Sequence, residues 1–282
     1  MFRDEKPGEV SGLTRLKCFG QDDGHSFCRE DQIEEEFQNV YGIIKKALEV
    51  YELPFYIRLS LRDEAHKEKY LGDDATWLNA QKQLEDMLIR NQVNYIKAEG
   101  EAAFYAPKMD IIVKDAIGRE WQICTIQIDY HMPRRFNLTY TDKDGQEKNP
   151  VMIHRAIIGS PDRFIGILLE HFNGNLPLWL SPVQIKIISV GSAHIEHCEK
   201  LAQQLKKEGL RLELDTDNET VGHKIRKASK QRIPYTLVIG DKEIASDKLA
   251  VRIRGQENLW EVDLKDFIAK AKKLIAERKN EL

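Results

Sequence analysis

Apolar residues recur with two different periods through the first part of the chain. Between Glu30 and Tyr51, Ile33, Phe37, Val40, Ile44 and Leu48 fall three or four apart, which predicts an amphipathic helix. Carboxylates crowd its start (Glu30, Asp31, Glu34, Glu35, Glu36), the end where a helix dipole favours negative charge. Tyr56–Leu61 alternates Ile57, Leu59 and Leu61 with Arg58 and Ser60, the pattern of a half-buried strand. Trp77–Leu88 returns to helical spacing. Trp121–Tyr130 changes phase part-way: Trp121 and Ile123 share one face, and Ile126, Ile128 and Tyr130 the other. One bulge near Cys124–Thr125 reconciles the halves and turns Gln122 and Gln127 to a common face, where two amides can hold a small polar ligand. Periodicity alone favours the plainer reading, a strand with solvated glutamines. Ile157–Phe172 predicts a buried, mostly apolar helix that includes Ile165, Ile167, Leu168 and Leu169.

The stretch NGNLPLWLSP, with Gly174, Pro177 and Pro182, reads as a linker. Beyond it strands and helices alternate: strand Val183–Val190, helix Ala193–Lys207, strand Arg211–Asp215, helix Val221–Lys230, strand Thr236–Ile239 and a closing helix Leu264–Arg278. That order implies a small α/β domain with a largely parallel sheet. Two domains are expected, 1–176 and 177–282.

Composition narrows the class. The 282 residues are 41% hydrophobic and 32% charged, as in a soluble globular protein, and a formal net charge of −3 excludes a blanket cationic surface while leaving room for local basic grooves. The four cysteines (Cys18, Cys28, Cys124, Cys198) lack paired spacing, which points to a reducing, cytoplasmic compartment. No apolar run is long enough for a bilayer, so no membrane partner is expected. MFRDEKPGEV reads as a strand entering a loop, and Met1 is expected to lie inside a domain.

Arg3, Glu5 and Arg15 bracket a loop with Pro7, Gly8 and Gly12, so two short strands can present both guanidinium groups to a phosphate. Surface arginines beside a turn are common, and the pattern is weak by itself. Gln21, Asp22, Asp23 and His25 follow closely. His25 and Cys28 also read as a local metal pair, with nothing nearby to complete it.

Longer segments carry more. FRDEKPGEVSGLTRLKCFGQDDGHSFC resembles motif 2 of class II aminoacyl-tRNA synthetases in its threonyl form, and VMIHRAIIGSPDRFIGILLEHF resembles motif 3. GEAAFYAPKMD and EWQICTIQID are similar to two further active-site segments of that family, in the same order. The resemblance implies an α+β class II catalytic domain, an antiparallel sheet with helices and present only in part, followed by an α/β anticodon-binding domain. It implies a ligase that uses ATP with Mg2+ to make threonyl-adenylate and passes the threonyl group to tRNA(Thr).

Roles follow residue by residue from the same resemblance. Arg3 would hold the ATP α-phosphate and Arg163 the γ-phosphate, as the catalytic pair. Glu5 would accept from the adenine amino group, Phe19 would stack on the ring, and Arg15 would assist at the phosphates. Gln122 and Gln127 would surround the nucleotide and threonyl group, with Gln21, Tyr105, Lys108 and Ser160 lining the same pocket. His25 and His154 match two histidines of a Zn2+ site that takes the amino group and hydroxyl of threonine, while Asp23 accepts from the hydroxyl. Such a site rejects valine, which leaves those groups unpaired. DTDNETVGHKIRKASKQRIPYTLVIGDKE resembles the anticodon-binding domain, with Asn218, Glu243 and Arg252 at base-contacting positions. Lys224, Arg226, Lys227, Lys230 and Arg232 form a basic stretch that reads either as a solvated helix face or as backbone contacts, with Arg226 and Arg232 favoured.

The chain departs from the family pattern in several places. Motif 1, which supplies the homodimer interface of the full-length enzymes, is not found, nor are the editing domain and the cysteine that would be the third zinc ligand. Ile123 stands where the family commonly has cysteine, and Ala106 replaces a glycine. A fragment of a longer enzyme is therefore expected. A prolyl- or histidyl-type enzyme is the neighbouring reading, disfavoured by Asp23, His25 and His154. A non-catalytic tRNA-binding paralogue is the other, disfavoured by retention of Arg3 and Arg163.

Overall fold

The structure, a computed structural model, describes residues 1–246 and 248–282. They divide into two compact units, Met1–His171 and Phe172–Leu282. The first unit runs β1 (Gly24–Cys28), α1 (Ile33–Tyr51), β2 (Phe55–Leu61), α2 (Asp74–Arg90), β3 (Tyr95–Glu99), β4 (Lys108–Lys114), β5 (Glu120–Asp129), α3 (His131–Arg135), β6 (Tyr140–Thr141), β7 (Glu147–Lys148), β8 (Val151–Ala156) and α4 (Pro161–His171). Its main sheet has six strands in the order β1-β8-β5-β4-β2-β3. Every neighbouring pair is antiparallel except β2–β3, as the expected α+β core requires.

The spacing of apolar residues accounts for the layering. Ile33, Phe37, Val40, Ile44 and Leu48 are all buried beneath α1, and Trp77, Ala80, Leu84, Met87 and Leu88 beneath α2. Each such side chain contributes roughly 1.5–3 kcal/mol on burial. Helix α1 ends where Glu52 turns left-handed (φ 53°) and its amide reaches back to the carbonyls of Leu48 and Glu49. Strand alternation puts Leu59, Met109, Ile111, Ile126, Ile128 and Ile153 on one face of the sheet, all buried. The other face receives Ser60, Lys108, Asp110, Thr125, Gln127 and His154.

Three expectations need correction. The bulge of β5 lies at Ile123, one residue before the expected place: Gln122 opposes Ile112 and Cys124 opposes Ile111, leaving Ile123 unpaired. It still brings Gln122 and Gln127 to one face. The helix expected from Ile157 starts at Pro161, because proline suits a first helical position and the preceding amides bond elsewhere. Only one stripe of that helix is buried (Phe164, Ile167, Leu168), and Ile165 and Leu169 are exposed on its other side. Ser60, expected on a solvated face, is buried against Asp110.

The second unit runs β9 (Ile185–Ser189), α5 (Ile195–Lys207), β10 (Leu212–Asp215), α6 (Val221–Lys230), β11 (Tyr235–Ile239), α7 (Asp241–Ala245), β12 (Lys248–Ile253), β13 (Leu259–Asp263) and α8 (Leu264–Ala276). Its five-stranded sheet has the order β10-β9-β11-β12-β13. The first three strands are parallel, and β12 and β13 turn antiparallel, so the largely parallel expectation holds for the βαβαβ part alone. The expected linker is not loose: Leu178 is fully buried in this unit's core, and Arg211 donates to the carbonyls of Trp179 and Ser181.

The β4–β5 turn, which sets the position of the bulged strand, is tied down by Asp115. Its carboxylate accepts from Trp121 Nε1 (2.8 Å), Arg119 Nε (2.6 Å) and the amides of Ile117 (3.1 Å) and Arg119 (2.9 Å). Burial pushes this carboxyl up, but the four hydrogen bonds outweigh burial and bring it from 3.8 down to about 2. A lowered folded value contributes stability above the unfolded one, lost as pH falls through the folded one. Thermal melts should therefore show wild type more stable than Asp115→Asn at about pH 6, with the gap closing between about pH 4 and pH 2. A gap that stays constant through that window contradicts the assignment.

Candidate functional site

The polar face of the six-stranded sheet carries two contiguous clefts. The first, of about 290 Å³, has Arg3, Glu5, Phe19, Gln21, Gln122, Ser160 and Arg163 among its walls. Residues 1–19 arch over it as two arms bridged at Phe2–Cys18, with Arg3 donating its amide to Lys17 O at 2.9 Å. Arg15 does not line the cleft. Its Nε donates to Glu5 Oε2 at 3.0 Å, and it holds that buried carboxylate from behind.

Arg163, in the first turn of α4, donates from Nε to Thr14 O (2.8 Å) and lies over the Trp121 ring at 5.3 Å. Burial lowers its pKa first, and the positive fields of Arg3 and Arg15 lower it further, against the opposing effect of Glu5. Arg15 is paired with both Glu5 (3.0 Å) and Glu9 (3.4 Å), so the positive charge turned to the cleft comes from Arg3 and Arg163. Planar guanidinium groups with fixed donors suit phosphate oxygens. Arg3 also lies over the Phe19 ring at 5.0 Å.

One junction draws these distant segments together. Asp22 Oδ2 accepts from the amides of Ile157 (2.9 Å) and Ile158 (3.0 Å), and the Asp22 amide donates to Gly159 O (2.8 Å). Gly159 is left-handed (φ 64°), and a Cβ there would sit 2.7 Å from Ile123 O in the bulge. Only glycine permits this approach.

The second cleft, of about 210 Å³, shares Gln21, Gln122, Thr125 and Ala156 with the first and adds Asp23, Tyr105, Lys108, Gln127, His154 and Arg155. Tyr105 donates its hydroxyl to Gln127 Oε1 (2.9 Å). Beneath them Asp110, fully buried, accepts from Gln122 Nε2 (2.7 Å), Thr125 Oγ1 (3.1 Å) and Ser60 Oγ (2.8 Å), and its Oδ2 lies 3.1 Å from Lys108 Nζ. Asp110 is unnamed in the sequence reading, and Asp22 is named there without a role. A charge inside the apolar run Met109–Val113 was the available signal for Asp110.

His25 and His154, far apart in sequence, are direct partners across β1 and β8, with ring centroids 4.7 Å apart and edge to face. Asp23 Oδ1 lies 3.8 Å from His25 Nε2. Two imidazoles fit zinc as two of its nitrogen ligands, but among the described residues no cluster of three His, Cys, Asp or Glu side chains forms, short of the three protein ligands usual for the metal. The local His25–Cys28 alternative fails on strand geometry, since residues three apart point to opposite faces. Burial, then Glu36 and Asp31, also push the Cys28 thiol up to about 11, away from the thiolate that binds metal.

In the second unit, Asn218 follows β10 and Glu243 follows β11, which puts both at the carboxyl edge of the parallel strands. Glu243 Oε2 accepts from the Gly240 amide at 3.0 Å. Arg252 lies on β12 opposite Thr236, near the other end of β11. Arg226 is exposed in the middle of α6. Arg232 sits past the far end of that helix, left-handed (φ 55°), and donates to Asn175 Oδ1 at 3.0 Å. The basic stretch is smaller than its sequence implies. Lys224 is buried and donates to Ser189 O (3.0 Å), and Lys227 faces Asp217 (3.1 Å).

Comparison with known proteins agrees with both halves. The model for the tRNA synthetase class II core domain (G, H, P, S and T) matches residues 1–172, and that for the anticodon binding domain matches 184–274. The threonine–tRNA ligase of Thermus thermophilus is 45% identical over 282 residues, all of this chain and 43% of that protein; the one from Clostridium tetani is 43% identical over 270 residues, 42% of its length. The chain thus spans less than half the length of these relatives. A crystal structure described as the RNA binding domain of threonyl-tRNA synthetase from Cryptosporidium parvum superposes with a TM-score of 0.89 at 34% identity, covering 97% of this chain and 68% of that one. Prolyl-tRNA synthetase from the same organism, at 18% identity, TM-score 0.67 and coverage of 99% and 51%, shares the fold. The chain belongs to the threonyl-tRNA synthetase family of class II aminoacyl-tRNA synthetases.

Proposed function

We propose that the first unit is the site of threonine activation and the second reads the anticodon of tRNA(Thr), within a threonine–tRNA ligase acting in protein synthesis. The observation that carries this is the gathering of Arg3, Arg163 and Glu5, from both ends of the unit and with Arg15 behind Glu5, around a cleft that opens into a second one lined by Asp23, Lys108, Gln127 and His154. Mg–ATP would occupy the first cleft and threonine the second.

In the proposed reaction the threonine carboxylate attacks the α-phosphorus, the bond to pyrophosphate breaks, and threonyl-adenylate forms. Arg3 holds the α-phosphate oxygens as negative charge builds on them, and Arg163, fixed on Thr14 and Trp121, holds the γ-phosphate. Glu5, braced by Arg15, accepts from the adenine amino group, and Phe19 offers its ring to the base. Lys108 and Gln127 orient the amino acid, and Asp110 keeps Lys108 and Gln122 in place from below. Zinc held in part by His25 and His154 would supply Lewis-acid binding of the threonine amino group and hydroxyl. The adenylate then passes its threonyl group to the tRNA terminus. Asn218, Glu243, Arg226, Arg232 and Arg252 are proposed to meet the anticodon stem and loop, whose unpaired bases expose their edges.

Two measurements test the first unit. Calorimetric titration with Mg–ATP should give an Arg163→Ala chain that binds about 10–100-fold more weakly, since a hydrogen bond to a charged group is worth roughly 1.5–3 kcal/mol. Unchanged affinity would remove Arg163 from the phosphate site. Sulfamoyl analogues of threonyl- and valyl-adenylate address selectivity: wild type should prefer the threonyl compound, and Asp23→Ala should narrow that preference by about tenfold or more. If the ratio is the same in both proteins, Asp23 does not read the hydroxyl.

A further inference from the structure

Asp129, the last residue of β5, is fully buried and lines neither cleft. Its two oxygens do different things. Oδ1 accepts from the amides of His131 (2.7 Å) and Met132 (3.0 Å), which start the short helix α3. Oδ2 lies 2.9 Å from Nε2 of His154. Two backbone donors hold the carboxylate from one side, so it has no freedom to swing away from the ring.

The chemistry of that contact has a definite consequence. A carboxylate oxygen accepts and does not donate, so Nε2 of His154 must carry the hydrogen. In a neutral imidazole the lone pair then belongs to Nδ1. The ring is one wall of the second cleft, with the His25 ring 4.7 Å away and the Tyr105 ring 5.1 Å away. Protein groups that orient a ligating histidine commonly act in this manner, through the nitrogen the metal does not use.

We propose that Asp129 is a positioning residue that fixes His154 as the Nε2–H tautomer and so presents Nδ1 as the ligand nitrogen for a divalent metal. The metal half of this rests on the reading of His25 and His154 given above; the tautomer half does not. The fold, and not the metal, selects the tautomer, so it should be present in metal-free protein.

Asp129→Asn separates this role from a merely structural one. The asparagine Oδ1 can still accept from His131 and Met132, so α3 keeps its start. Its amide nitrogen, however, donates, and it faces Nε2, which must then become the acceptor. The hydrogen moves to Nδ1 and blocks the lone pair. Long-range proton–nitrogen correlation spectra of the histidine rings, recorded metal-free at roughly pH 8.5 where an ordinary histidine is neutral, read this directly. The expected result is Nε2–H on His154 in wild type and Nδ1–H in Asp129→Asn, with Co2+ binding about 10–100-fold weaker in the variant. Nδ1–H in wild type, or the same tautomer and Co2+ affinity in both proteins, overturns the proposal. Should the variant fail to fold, the wild-type spectrum alone decides. If the tautomer switches but wild type binds no Co2+, the metal half is overturned and the hold of Asp129 on the ring is upheld.

Discussion

The contact between Gly159 and the bulge at Ile123 is the constraint on which the first unit's site depends. A left-handed glycine lets the turn before α4 come against Ile123 O, and the same turn offers two amides to Asp22 and a carbonyl to its backbone. The arm ending in Asp22, the bulged strand and the start of α4 have no local reason to meet. Hydrogen bonds to a charged acceptor are worth roughly 1.5–3 kcal/mol each, enough to favour one arrangement of loops that bury little apolar surface. Arg3 and Arg15 lie on the arm, Gln122 on the strand and Arg163 on the helix, so one junction sets the spacing of all four.

The charge arrangement follows from that geometry. Among the described residues Arg163 has no acidic hydrogen-bond partner; its Nε bonds a backbone carbonyl and its planar group rests on Trp121, so its charge, beside Arg3 and Arg15, is offset only through the field of Glu5. A cleft of this kind favours anions. The neighbouring cleft is built oppositely, on buried carboxylates. Asp110 and Asp129 lie under its floor and each is saturated with donors, so they act as anchors for Lys108, Gln122 and His154.

Much of the fold was legible in the sequence because it obeys simple periods. The five apolar positions of α1 are the five buried ones, and the phase change in Trp121–Tyr130 admits a bulge, although periodicity alone favours the plain strand that the β4–β5 register overturns. The bulge was misplaced by one residue because Ile123 and Cys124 are both apolar, and either can be the unpaired one. Helix α4 was started too early for a similar reason: Ile157 and Ile158 look like helix interior, but their amides are taken by Asp22, which no periodicity reveals. Strand β12 does alternate, Leu249, Val251 and Ile253 against Lys248, Ala250 and Arg252, but the signal is short and sits between longer elements. The site residues themselves came from resemblance to a family. Sequence spacing alone could not have paired His25 with His154, which needs the β1–β8 register. Burial of Lys224 shows the converse, a basic residue in a basic run that faces the core instead of solvent.

The most direct test of the junction is the Mg–ATP affinity of Gly159→Ala, measured beside its thermal unfolding. The added methyl meets a backbone carbonyl that cannot rotate away, and it must adopt a left-handed φ besides. Since α1 and α2 lie outside this contact and Ile123 is the residue of β5 left unpaired with β4, the variant should still unfold cooperatively. The account predicts that nucleotide affinity falls by at least about tenfold, a loss of roughly 1.4 kcal/mol, while the cooperative transition remains. Wild-type affinity in a folded Gly159→Ala chain would contradict it.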